Sequence, residues 1–91
     1  MEWKACPICG DGMPGNPRYP RQVCESCVKR ACDELGSPLV FYNTTLSGGF
    51  QARDAGSGEI RYGHVCHIDG IRCWADAAHL GGIVVEVNDD A

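Results

Sequence analysis

Cys6-Pro7-Ile8-Cys9-Gly10, followed after a gap of 14 residues by Cys24-Glu25-Ser26-Cys27, is the stretch on which the fold of this chain turns. A CxxC turn presents two sulfurs to one ion, and two such turns complete a tetrahedron with no open position. Gly10 allows a sharp turn after the second sulfur and leaves backbone amides free to donate to it. The second pair straddles the expected start of a helix, where the positive end of the helix dipole favours thiolates. The pattern predicts one structural zinc ion held by Cys6, Cys9, Cys24 and Cys27. A pair of redox CxxC motifs and an iron–sulfur cluster are the alternatives for the same residues.

Working outward, residues 1–23 carry Pro7, Pro14, Pro17 and Pro20 with Gly10, Gly12 and Gly15, a composition of loops and turns rather than helix. Residues 25–35 read as a helix, because Val28, Ala31, Cys32 and Leu35 recur at one-face spacing and Gly36 and Pro38 follow as a stop. Past residue 38 the period changes. Leu39 to Leu46 is rich in β-branched and aromatic residues and reads as a strand, ended by a Ser47-Gly48-Gly49 turn. Phe50 to Arg53 reads as a short strand, Asp54 to Gly58 as a turn and Ile60 to Ile68 as a further strand. Asp69-Gly70 between Ile68 and Ile71 is a hairpin signal, and it sets Ile68 opposite Ile71, His67 opposite Arg72 and Cys66 opposite Cys73. A short helical turn is expected over Ala75 to Leu80, then an apolar strand over Ile83 to Val87.

The expected architecture is therefore α+β. A four-cysteine zinc knuckle plus one helix (residues 6–36) packs on a small antiparallel sheet or meander (residues 39–87, with the hairpin at 68–71) in a single domain spanning 1–91. A chain of 91 residues with seven aromatic positions builds only a small core, so a metal staple has a stabilising job to do.

The CPxCG knuckle, a loop, and CxxC at the start of a helix resemble a treble-clef or zinc-ribbon type four-cysteine finger over residues 6–35. That resemblance implies zinc and a local fold. It does not choose a function, because such fingers serve in ribosomal proteins, ubiquitin-system modules, transcription factors and nucleases. No family resemblance extends over the remaining residues.

Charge and composition narrow the function. The formal net charge is −4, and residues 36–91 hold Arg53, Arg61 and Arg72 against seven acids, so the strong basic excess of a general nucleic-acid binder is missing. Arg18, Tyr19, Arg21, Lys29 and Arg30 nonetheless surround the zinc motif and make a nucleic-acid-binding finger the main alternative to a protein-interaction or adaptor module. A protein partner is the leading expectation, with Trp3 and Trp74 as candidate anchors. A second copy pairing along the Ile83–Val87 strand edge would make a homodimer. A metal-dependent nuclease using His64, His67, Asp69 and His79 is a weaker alternative, since Asp69 is taken up by the turn. The leading reading is thus not an enzyme. His64, Cys66, Cys73 and His79 could also hold a second metal ion, although core packing of Cys66 and Cys73 is the simpler expectation. No 18-residue apolar run is present, and the N-terminal residues lack a signal-peptide stretch. The expected location is cytoplasmic.

Overall fold

The computed structural model describes residues 3–44, 49–78 and 82–88. Within them lie eight short strands and one helical turn: β1 (Trp3–Ala5), β2 (Gly12–Pro14), α1 (Glu25–Val28), β3 (Leu39–Tyr42), β4 (Gln51–Asp54), β5 (Ile60–Arg61), β6 (Val65–Ile68), β7 (Ile71–Ala77) and β8 (Ile83–Val87). They form three antiparallel sheets, ordered β1-β2, β3-β4-β5 and β6-β7-β8. Among the described residues no helix is long and apolar enough to cross a membrane.

The expected α+β class is corrected to an almost entirely antiparallel β architecture. The helix read over 25–35 closes after Val28. Its continuation is lost to stronger competitors. The amides of Arg30 and Ala31 bond back three residues, to Cys27 and Val28, which tightens the end of the turn. Cys32 then spends its N–H and C=O on His67 of β6, at 2.9 and 2.8 Å. Asp33 turns its carboxylate onto the amides of Leu35 and Ser37, both at 2.9 Å, the local bonding by which Asp opposes helix. Leu35, the last residue of the supposed apolar face, is 89% exposed. A helix this short gains too few bonds to offset its nucleation cost against those alternatives.

The hairpin is where the sequence expectation and the structure meet. Ile68 pairs with Ile71, His67 with Arg72 and Cys66 with Cys73. Asp69 (φ 52°) and Gly70 (φ 80°) both take the left-handed conformation that a two-residue turn of matching twist requires. Elsewhere the boundaries move. The strand expected to reach Leu46 ends at Tyr42, and residues 45–48 lie outside the described residues. The single strand expected over 60–68 is broken by a bend at Gly63 and His64, so β5 and β6 belong to different sheets. The helical turn expected from Ala75 is instead the end of β7, where Ala75 to Ala77 pair with Val85 to Ile83; Leu80 lies outside the described residues.

One apolar cluster joins the N-terminal region to the last sheet. Cys27, Ala31, Cys66, Ile68 and Cys73 are wholly buried, and Val85 is almost so. These are small side chains, Ile68 being the largest fully buried one. The outer edge of β8 is covered by the chain that leads into the second CxxC. The Val23 amide bonds to the Val85 carbonyl at 2.8 Å, and the Val87 amide bonds to that of Arg21 at 3.1 Å. The edge put forward for a second copy is thus occupied at these positions by the chain's own backbone.

Candidate metal centre

The knuckle forms because β1 and β2 bring their ends together around Cys6 and Cys9. The Cys6 amide bonds to the Asp11 carbonyl at 2.8 Å, and the Gly10 amide to the Cys6 carbonyl at 2.9 Å. Gly10 has φ 81°, which a side chain would oppose. The other two cysteines come from α1, with Cys24 as its N-cap residue and Cys27 inside its single turn.

The four sulfurs lie within 4.8 Å of one another, positioned to bind a metal ion. Cys6 and Cys27 are buried with sulfurs 3.9 Å apart, whereas Cys9 is exposed, Cys24 is half-buried and their sulfurs are 3.7 Å apart. The cluster therefore has an inner pair anchored in the core and an outer pair at the surface.

Electrostatics set the inner pair apart. Burial pushes the Cys6 thiol up, but backbone amides of Cys24, Cys9 and Ile8 outweigh it and bring the thiol down to about 6. Burial, reinforced by the sulfurs of Cys9, Cys24 and Cys6, pushes Cys27 up to about 12 despite the Arg30 guanidinium. At Cys9 the Asp11 amide pulls the thiol down, yet burial and the neighbouring Cys24 and Cys6 sulfurs leave it raised. Four thiols this close cannot all ionise together without a cation among them, and a divalent ion removes that conflict.

What sequence reasoning missed is the role of Arg30, which it placed only in a basic face around the motif. Its Nη2 donates to Cys27 Sγ at 3.3 Å and to Asp69 Oδ2 at 2.8 Å, while Nε donates to Asp69 Oδ1 at 3.1 Å. The available signal was its place three residues after a ligand on a helical turn, which puts the two side chains on one face. The pairing holds the Asp69 carboxyl below the usual carboxylate range. It also removes Arg30 from the basic face proposed around the motif.

The histidine region does not assemble a site among the described residues. His64 is stacked between Phe50 and Trp74, with ring centroids 4.7 Å away on each side, and its Nδ1 is 2.7 Å from the Ala75 carbonyl oxygen. Cys66 and Cys73 are opposed in register and wholly buried in the core, and hydrogen bonding to Cys73, with burial, pushes the Cys66 thiol up. His67 has a buried Nδ1 with no hydrogen-bond partner among the described residues, and Asp69 is held by Arg30. His79, needed both for a second metal ion and for the nuclease reading, lies outside the described residues. The four cysteines are the only group of three or more potential ligands gathered among the described residues.

A groove of about 710 Å³ runs between the β3-β4-β5 sheet and β6. Leu39, Phe41 and Ala52 supply apolar lining, and Asp33, Glu34, Arg61, His67 and Arg72 supply polar lining of both signs. Leu35 and Tyr62 also line it, and they are 89% and 92% exposed. Comparison of the chain with protein-family models, with curated proteins and with solved structures returns no match.

Proposed function

We propose that this chain is a zinc-scaffolded module whose work is to bind another protein. The spacing of the sulfurs carries the metal half of that reading. A tetrahedron of zinc–sulfur bonds about 2.3 Å long has edges of about 3.8 Å. The inner and outer pairs sit at 3.9 and 3.7 Å. Four thiolates fill every position of a tetrahedral ion, so the metal serves as a scaffold and leaves no open coordination site for substrate. We read the motif as a treble-clef-like finger reduced to a knuckle and one helical turn.

The binding half is supported by the groove beside Leu35 and Tyr62. Large apolar side chains left standing at the mouth of a partly apolar groove are features of a docking surface rather than of a solvated face. Metal analysis by native mass spectrometry should return one zinc per chain, and a chain purified and refolded with zinc that retains none overturns the scaffold. For the partner, a peptide library selected against the zinc-loaded protein should enrich a sequence whose binding is lost in the Leu35→Ser/Tyr62→Ser variant. Absence of any enrichment, beside salt-sensitive retention of RNA or DNA on a filter, would replace the protein partner with a nucleic acid.

A further inference from the structure

We infer that Arg30 couples the metal centre to the β6–β7 hairpin, acting as a positioning residue that links Cys27 Sγ to the Asp69 carboxylate. The inference rests on the reading of the four cysteines as a zinc site, and it adds a second consequence of metal binding, felt outside the knuckle.

The two protons of Arg30 Nη2 are divided between two anchors, Cys27 Sγ at 3.3 Å and Asp69 Oδ2 at 2.8 Å. The Nε bond to Asp69 Oδ1 makes the carboxylate contact bidentate, which fixes the plane of the guanidinium as well as its position. Asp69 is one of the two residues of the hairpin turn and already holds a left-handed backbone at φ 52°. Asn and Gly suit that backbone at least as well, so the turn alone does not call for a carboxylate. The carboxylate is explained by Arg30.

A metal held by the four sulfurs fixes the position of Cys27 Sγ. The guanidinium that donates to that sulfur is then held more firmly, and so is the turn it grips. By linkage the turn must act back on the metal with the same factor. The backbone bonds between Cys32 and His67 join the same two segments, but they involve no sulfur of the metal cluster.

The test is zinc affinity, measured by competition with a chromophoric chelator, for the wild type, Arg30→Met, Asp69→Asn and the double variant. Asn keeps the left-handed turn, so Asp69→Asn preserves the hairpin while removing the charge. Arg30→Met should weaken zinc binding by about tenfold, as loss of a partner to a metal ligand does. Asp69→Asn should weaken it by about fivefold, and the double variant should match Arg30→Met alone. Zinc should also slow amide hydrogen exchange at Gly70 and Ile71 in the wild type and have less effect there in Arg30→Met. Asp69→Asn with wild-type affinity, or two single effects that simply add, overturns the coupling while leaving the zinc site intact. A wild type that takes up no zinc removes the zinc reading itself, which is a separate and recognisable result.

Discussion

Residues 3–28 contain two three-residue strands and one turn of helix, while the described residues between 39 and 87 contain six strands in two sheets. The first region is rich in proline and glycine, and its side-chain convergence is the four-sulfur cluster. The second is held by strand ladders, the buried Ile68 and Val85, and ion pairs such as Arg61 with Asp54 and Asp33. On the proposed zinc reading the ordering entropy of the first region is offset by bonds to a metal; in the second it is offset by hydrogen bonds and apolar burial. On that reading the protein divides its stability between two kinds of interaction, and a shared apolar cluster joins the two regions.

The largest expected effect breaks the comparison at the metal. Cys27→Ser, or a strong chelator, should abolish tight zinc binding and remove a contribution on the order of 10 kcal/mol. Amide exchange should then become fast over residues 3–28 while β7 and β8 keep protection. Uniform loss of protection across the whole chain would show that the two regions are not separately stabilised.

Next is the sheet side. Ile68→Ala opens a cavity at a wholly buried position and should cost about 2–5 kcal/mol in denaturant unfolding. The zinc stoichiometry of the native fraction should stay at that of the wild type. A variant that also loses its metal would merge the two regions into one.

A smaller effect is expected at the seam between the two larger sheets. His64 stacks on Phe50 beside β4 and on Trp74 of β7. His64→Ala should lower thermal stability by about 1 kcal/mol, the scale of such ring pairs. It should also speed amide exchange in β5 more than in the knuckle. An unchanged melting curve would remove the stack from the account of how the sheets are joined.

The smallest effect concerns acid. The amides of Ser57 and Gly56 hold the Asp54 carboxyl below the ordinary carboxylate range. Because its folded value lies below its unfolded one, the stability it contributes is present above about pH 4 and is lost as pH falls through the folded value. Asp54→Asn should therefore flatten the decline of β4 amide protection in that window. Zinc release on acidification, which depends on protonating thiolates, should run as in the wild type. An acid limb that keeps its full slope in Asp54→Asn would assign the decline to other carboxyls, Asp33 first among them, since its carboxyl is lowered by the Ser37 amide.

What could be read from the sequence follows the range of the interactions. The four-cysteine cluster was legible because CxxC spacing is local, and two such turns need only be brought together. The hairpin register was legible because Asp69-Gly70 fixes its flanking pairs by turn geometry. The helix past Val28 was misread because its competitors are distant or specific: the His67 backbone 35 residues on, and the Asp33 side chain in its own turn. The break at Gly63 went unseen because a strand-like composition does not reveal which sheet each part of it enters. Arg30 was set in a basic surface because its two anchors are 3 and 39 residues away, and only the nearer one lies within the reach of a motif.

The sequence by itself determined four thiols at metal-binding spacing, a tight hairpin and a short supply of large apolar residues. Tertiary structure decided the rest. It gave Cys32 to a strand edge and so made the chain β rather than α+β, split the C-terminal residues into two sheets with a groove beside them, and placed Asp69 against Arg30. The physical reason is that ligand spacing and turn geometry are properties of a few consecutive residues. Which backbone group takes which partner is a competition settled only when the whole chain is folded.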